Sequence, residues 1–438
     1  MAAAQQPATG DADGDAGTPR RRAMAVVVLV VFLDLVGFGI VIPILPFYVR
    51  SFGVSDFYIG LLAASYSLMQ FGFAPLLGRL SDQYGRRPVL VLSLCGSVLA
   101  WTVFGLAGAL WVLFLSRMLA GAMGGNISTA QAYVADVTPP EDRAGALGIL
   151  GAAFALGFIF GPALGGLFAS DPVVAAAKDL FPAFVPATEF SLPSFAAAGM
   201  SLLGVVVALV FLPEPDRERG VAGDGTGTAS AQNVVAQFRS ALADPNLRGF
   251  VISFFLVSVA FSGVQVAFIP WLADTFGYEA EQAALFLTYV GVLGVVVQAG
   301  LVGRVSRRLG DERMAVTGGV SLALALALIP FAPELALVLP SVGPLPAGAL
   351  GVVLVLPLLS FGNGLLNAAL GALVSRSASS DRQGSAFGVT QGAGSLGRTV
   401  GPPAMAGLYA FAFGWVPFVV GGLLLLPVLA LLLAFVRD

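Results

Sequence analysis

Long apolar runs, interrupted by short clusters of charge, glycine and proline, set the pattern of this chain. The hydrocarbon core of a bilayer is about 30 Å thick, so a crossing helix needs about 20 mainly apolar residues. Twelve runs of that kind are predicted, at 24–49, 56–78, 87–107, 109–136, 144–168, 193–213, 248–272, 281–303, 313–332, 347–374, 383–408 and 414–436. They are continuous and do not alternate, which favours helices bonded within themselves over the strands of a barrel. The first 23 residues end in Arg20, Arg21 and Arg22 and contain no short apolar segment or small-residue cleavage site. They read as a disordered tail with a positive anchor, not as a signal peptide.

Cations then give the orientation. With the N-terminus in the cytoplasm, eighteen of the 22 Lys+Arg fall on that side, among them Arg79, Arg86, Arg87, Arg143, Arg217, Arg219, Arg239, Arg248, Arg304, Arg307, Arg308, Arg313, Arg376, Arg382 and Arg437. Arg50 and Lys178 fall outside, and Arg117 and Arg398 lie within spans. The expected placement is multi-pass in the plasma membrane with both termini cytoplasmic.

The runs divide into two halves, 24–213 and 248–438, joined by a cytoplasmic linker, 214–247. The linker is glycine-rich and flexible in its first part. Its second part, with Val234, Val235, Phe238 and Leu242, has the spacing of a short surface helix. Gly148, Gly157, Gly161 and Pro162 recur 240 residues later as Gly388, Gly397, Gly401 and Pro402. Gly78, Arg79, Ser81 and Gly85 recur 225 residues later as Gly303, Arg304, Ser306 and Gly310. The expected fold is all-α: two similar six-helix bundles with a site between them that can open to alternate sides.

Composition narrows the chemistry. Hydrophobic residues make up 57% of the chain and charged ones 11%, far below the roughly 25% of soluble domains. A net charge of -3 argues against a nucleic-acid partner. One cysteine, Cys95, and no histidine exclude internal disulfides, histidine-based triads and histidine-ligated metals. The chain is expected not to be an enzyme and to need no cofactor or metal. No phosphate-binding loop of the ATP-hydrolysing type occurs, so an ion gradient is the expected energy source.

The loop after the second span reads Gly78-Arg-Leu-Ser-Asp82-Gln-Tyr-Gly85-Arg86-Arg87-Pro88. Its glycines suit a tight turn, Pro88 suits the first turn of the next helix, and Asp136, ending the fourth span on the same side, is within reach of the arginines. The segment resembles the loop signature of the major facilitator superfamily, G-x-x-x-D-[RK]-x-G-R-[RK], with Gln83 the one departure. The resemblance implies a conformational latch of Gly78, Asp82, Gly85, Arg86, Arg87 and Asp136 that holds the outward-open state. In the second half Arg307 stands where Asp82 would, so only the first half is expected to carry the full latch.

In the fifth span, Gly148, Gly157, Gly161, Pro162, Gly165 and Gly166 allow close helix packing and a bend. Their spacing is similar to the antiporter motif of the drug:proton branch, which in that family shapes the interface between the halves. Phe32-Leu-Asp34-Leu-Val-Gly37-Phe-Gly39-x3-Pro43-x2-Pro46 and Arg117-x3-Gly121 look like the first- and fourth-helix motifs of the same branch.

Asp34, Arg117 and Arg398 are the intramembrane charges, each costing about 2.5–3.5 kcal/mol on insertion scales and therefore expected to face a cavity or a partner. Asp34 lies about 15 Å from the cytoplasmic end of its span and Arg117 about 18 Å from the inner surface. At matching depth the two are expected to meet and to form a proton-coupling pair, with a purely structural ion pair as the competing reading. Arg398 either contacts an anionic or carbonyl-bearing substrate or bonds to Gln391, Asn363 or Asn367. Tyr66 and Gln70 are four apart on one helical face in a segment that looks like the second helix of tetracycline efflux proteins. Substrate-binding residues are expected to be Phe38, Tyr66, Gln70, Asn126, Gln265, Asn363, Gln391 and Arg398, with Phe268 a further aromatic near the pocket.

The sequence thus reads as a monomeric, proton-coupled antiporter that expels a small amphiphilic compound or drug by alternating access. Its partners are that small molecule, protons and the lipid bilayer. A symporter or facilitator of the same fold and a non-transporting receptor are the alternatives.

Overall fold

A computed structural model describes residues 17–139, 142–182, 184–215, 238–335, 346–377 and 383–437. Linker residues 216–237, with Arg217, Arg219, Val234 and Val235, lie outside these, as do residues 1–16 and Arg382. No strand occurs among the described residues.

The first half comprises α1 (Gly17–Val41), α2 (Leu45–Ser51), α3 (Phe57–Tyr84), α4 (Arg86–Gly105), α5 (Leu110–Met123), α6 (Asn126–Val137), α7 (Arg143–Ala169), α8 (Asp171–Leu180) and α9 (Ser191–Phe211). The second comprises α10 (Pro245–Phe276), α11 (Ala280–Val296), α12 (Val302–Leu328), α13 (Ala347–Ser377), α14 (Gln383–Phe411) and α15 (Val416–Arg437). Ten stretches are long and apolar enough to cross a membrane, and one of them, Ala280–Glu334, is 55 residues long. Gly310, at φ 75°, breaks that stretch, which therefore makes two crossings. α14 has the length to cross, at 29 residues, but Gln383, Gln391, Arg398 and its glycines dilute its apolar character. The described residues thus hold twelve crossings, an all-α membrane protein of two six-crossing bundles.

Several boundaries differ from the sequence expectation. The tail expected to be disordered through residue 23 is helical from Gly17, because α1 continues past its arginines. The first span breaks at residues 42–44, where Pro43 offers no backbone donor, and resumes as α2 with Pro46 in its first turn. The fourth span breaks at Gly124-Gly125 into α5 and α6. In the linker, residues 238–243 are helical, and Phe238 and Ala241 pack on Val251, Val389 and Ala393.

Within the first half α1 packs on α7 and α9, α4 on α5 and α9, and α3 on α5; within the second, α12 packs on α13 and α15, and α10 on α14 and α15. The halves meet through α3 with α14 and α7 with α11. A Cβ on Gly60 would overlap the Pro402 carbonyl, one on Gly166 would reach Ala284 at 2.8 Å, and one on Gly291 would reach the Phe158 carbonyl at 2.8 Å. The Gly60 and Gly166 contacts lie toward the end of the molecule that holds α8, and the Gly291 contact lies near mid-helix. Gly78 and Gly148 each lie 18 residues, about five turns, from Gly60 and Gly166 on the same helical faces, yet nothing stands within 4 Å of a Cβ on either. Gly388, on the Pro402 face of α14, is equally open. The halves are therefore sealed at the α8 end and splayed at the end that carries Arg79, Arg86 and Arg143, called the basic end below.

Candidate functional site

Asp34 sits in the last three turns of α1 and is positioned by its neighbour α7. Gly157, Gly161 and Gly165, four apart, lay a smooth stripe against α1. Cβ atoms there would overlap Leu35, Gly39 and the Ile40 carbonyl respectively. The glycine motif of the fifth span therefore packs mainly inside the first bundle. Gly166 meets the other half, through Ala284 and Glu281, and nothing stands within 4 Å of a Cβ on Gly148.

One oxygen of Asp34, Oδ2, accepts a hydrogen bond from Asn126 Nδ2 at 2.5 Å. The other, Oδ1, is buried and has no partner. Asn126 is itself 6% exposed. Expected to face substrate, it instead holds the carboxylate, because the break at Gly124-Gly125 re-aims α6 toward α1.

Arg117 does not pair with Asp34, although the two were expected to meet. Its guanidinium carbon lies 4.9 Å from the Tyr66 ring centroid and 5.7 Å from those of Phe38 and Trp101, and its Nε has no hydrogen-bond partner. Three ring faces stabilise the cation, each by about 0.5–2 kcal/mol depending on desolvation. The reason is rotational. Gly121, one turn along α5 from Arg117, abuts the Tyr66 backbone so closely that a Cβ would overlap it, so this face of α5 turns to α3 and not to α1.

Around this centre, Phe38 also packs on Phe158 at 6.2 Å, and Gln70 Nε2 donates to the Tyr66 hydroxyl at 3.4 Å and to the Gly124 carbonyl at 3.3 Å. A groove of about 910 Å³ between α1 and α7, lined by Met24, Val28, Phe32, Ile149 and Leu156, runs from the basic end to the turn below Asp34. In the second half Gln265, Gln391 and Arg398 are exposed and Asn363 is half-buried. Asn367 donates to Asn363 Oδ1 at 2.8 Å, whereas Arg398 donates to Ser395 Oγ at 2.8 Å and not to either asparagine or Gln391. Phe268 is 1% exposed and packs on Trp271 and Phe286 in the core of the second bundle. It does not border the cleft.

At the basic end α3 runs straight through Gly78 to Tyr84, so the turn is made by Gly85 alone, at φ 109°. Arg86 is gripped on two sides, by Asp82 at 2.7 Å and Asp136 at 2.9 Å, and donates to Ser81 at 2.9 Å. Arg87 points away and donates to the Leu209 carbonyl. Sequence reasoning missed Glu214. Its carboxylate accepts the backbone N–H groups of Arg86 at 2.6 Å and Arg87 at 2.9 Å, capping the start of α4 with negative charge. Tyr133 fixes the same segment by donating to the Pro213 carbonyl at 2.8 Å. The Pro213-Glu214-Pro215 run, rigid and acidic at a span's end, was the available signal.

The second half carries a partial counterpart with its charges reversed, while Arg307 still stands at the Asp82 place. Following Gly310, Asp311 accepts from Ser306 at 2.7 Å and faces Arg376 at 3.8 Å, with Glu312 3.7 Å from the same arginine. Ser306, Asp311 and Arg376 occupy the places of Ser81, Arg86 and Asp136. The acid had moved across the turn, so comparison at the Asp82 position alone overlooked it. Because Arg376 is 63% exposed, neutralising it is expected to cost under about 1 kcal/mol. Arg86→Ala removes a side chain only 11% exposed between two carboxylates and is expected to cost about 2 kcal/mol, below the range of fully buried pairs. Thermal unfolding in detergent measures both.

At the sealed end, Arg50 forms paired hydrogen bonds with Asp56 at 2.7 and 2.8 Å and with Asp274 of the other half at 2.8 and 2.9 Å. Tyr409 donates to Asp274 at 2.6 Å, and Phe57 meets Phe411 at 5.7 Å beside them. Arg50 had been read only as an outside charge.

Comparison with known proteins places these features. The family model described as Major Facilitator Superfamily matches residues 27–402. The class C tetracycline resistance protein of Escherichia coli is 30% identical over 89% of this chain and 90% of its own length. The class G protein of Vibrio anguillarum is 30% identical over 94% and 97%. Among solved structures, the human organic anion transporter MFSD10 (TETRAN) superposes with a TM-score of 0.65 at 25% identity, over 94% of this chain and 99% of that one.

Proposed function

The chain belongs to the major facilitator superfamily, and on that premise we propose that it is a proton-coupled antiporter that exports a small amphiphilic compound or drug. The observation that carries the reading is Asp34, a carboxyl in the middle of the first bundle bonded by Asn126 through one oxygen, with the hydroxyls of Ser97 and Ser201 beside it and no cation paired to it among the described residues. A group so placed can take up a proton when the cleft opens to one side and release it when it opens to the other. Arg117, held by aromatic rings instead of by Asp34, is available as a counter-charge that moves in when the bundles rock. The positive-inside distribution supports a cytoplasmic basic end, so the described conformation is the inward-facing one. In it Arg50 and Asp274 close the outer side, and the apolar groove of α1 and α7 admits substrate toward Asp34 and the Phe38–Tyr66 pair. The mixture of ring faces with a few polar groups fits an amphiphile. Relatives named for tetracycline resistance support a drug as the exported compound. The placement is the plasma membrane, the working unit is a monomer, and the proton gradient is the energy source.

Direction of exchange tests the proposal. In proteoliposomes with an acidic lumen, an added substrate is expected to be taken up as protons leave. Uptake accompanied by protons moving the same way marks a symporter, and binding without flux marks a receptor; either result replaces the antiport reading.

A further inference from the structure

The face of α14 that Pro402 presses against Gly60 of the first half continues toward the basic end as Arg398, Ser395 and Gln391. At 100° per residue these lie within about 40° of Pro402 around the helix axis, whereas Leu396 and Val400 lie about 120–160° away. Arg398 and Gln391 are therefore exposed to the cleft between the halves, and Leu396 and Val400 to lipid. Arg398 stands one turn below the seal. Among the described residues its hydrogen-bond partner is Ser395 Oγ, and no carboxylate forms an ion pair with it. The acids described in the second half, Asp274, Glu279, Glu281, Asp311, Glu312 and Glu334, sit near helix ends or at the Gly310 break.

Two further features shape the place. A Cβ on Gly394 would lie 3.5 Å from Arg398 Nη1 and 3.4 Å from Ser258 Oγ of α10. With Phe254 Cδ1 at 3.9 Å from the same point, a guanidinium, a hydroxyl and a ring edge converge at the buried Gly394. Across the cleft, the antiparallel pairing pinned by Gly60 and Pro402 sets Ala64 opposite Arg398, and Phe71, 54% exposed, lies farther along the Gly60 face of α3. One planar guanidinium fork with one hydroxyl suits a carboxylate, which it meets with two parallel hydrogen bonds. A phosphate dianion would call for more positive charge than this level of the cleft supplies.

We infer that Arg398, exposed to the cleft with Ser258 beside it, anchors the negatively charged group of the transported compound, and that the substrate class is an aromatic or aliphatic carboxylate whose apolar body lies toward Phe71. This rests on the export reading above and adds the charge of the cargo to it.

Binding to purified protein by fluorescence polarisation, and flux in proteoliposomes, test the inference with fluorescein as the carboxylate probe and ethidium as the cationic one. Wild type is expected to bind and transport fluorescein. Arg398→Gln is expected to weaken that binding at least tenfold, Arg398→Lys to restore part of it, and Gly394→Leu to weaken it without changing charge. Ethidium binding should not weaken in Arg398→Gln, since the change removes a like charge, and an unchanged unfolding temperature in detergent reports that the variant is folded. Fluorescein binding unchanged in Arg398→Gln, or a wild type that takes ethidium and refuses fluorescein, overturns the inference. Asp34→Asn separates the two readings: it should lose proton release yet keep fluorescein binding, so failure of the proton scheme leaves the Arg398 result standing.

Discussion

Asp34→Asn will leave the protein folded and stop proton-driven transport. The amide is close to the carboxyl in shape, and its oxygen can still accept the hydrogen bond that Asn126 donates to Asp34. What disappears is the exchangeable proton. Uptake driven by a pH gradient should fall at least a hundredfold, to the level of protein-free vesicles, and substrate-evoked proton release should vanish. Exchange of labelled for unlabelled substrate without a gradient should persist, because the cleft and its walls are untouched. That combination distinguishes coupling from a general failure to bind or move. A variant that still releases protons on addition of substrate would remove Asp34 from the mechanism. Loss of gradient-free exchange as well would mark it as a structural or substrate-contact residue. Asn126→Ala offers a graded companion: it strips the 2.5 Å hydrogen bond to Asp34, leaves Ser97 and Ser201 beside the carboxyl, and should shift the pH dependence of transport without abolishing it.

Crossing helices were legible in the sequence because the bilayer imposes a length and an apolar composition that few other structures share. The charge cluster around Arg86 was legible for a similar reason: Gly85, Asp82 and Asp136 each leave a local trace, and the turn between two spans leaves little freedom. Rotation was not legible. Asp34 and Arg117 share a depth, which residue counts supply, but whether they face each other depends on which side of α5 turns to α3. That is decided by Gly121 against the Tyr66 backbone, a contact between residues far apart in the chain. The bond of Asn126 to Asp34 was not legible for a related reason, since a two-residue break at Gly124-Gly125 changes the direction of everything after it. The reversed charges at Asp311 and Arg376 show a third limit. Internal repeats preserve the place of an interaction more faithfully than the residue that makes each side of it.

The far-end clamp gives the second large effect. Arg50→Gln is expected to shift the protein from the conformation sealed at the α8 end toward one open there. Arg50 is the sole cation in this network, bonded to Asp56 within its own half and to Asp274 across the seal, with Tyr409 supporting Asp274 from α14. Its loss leaves two carboxylates facing each other across the junction and replaces attraction with repulsion. Asp274 is 53% exposed, so solvent screens the pair and the cross-half bond contributes about 1 kcal/mol, about a fivefold change in the ratio of the two conformations. Spin labels on Ser51→Cys and Thr275→Cys, both exposed and flanking the clamp, report the opening once Cys95 is replaced by alanine. A longer distance population should grow severalfold in Arg50→Gln. High salt should reproduce part of the shift in the unaltered protein, since exposed pairs are screened. Asp274→Asn should produce a smaller change than Arg50→Gln, because it removes the attraction without leaving two acids opposed. If all three conditions give the distance distribution of the unaltered protein in low salt, helix packing at Gly60 and Gly166 alone holds the seal, and the charges merely decorate it.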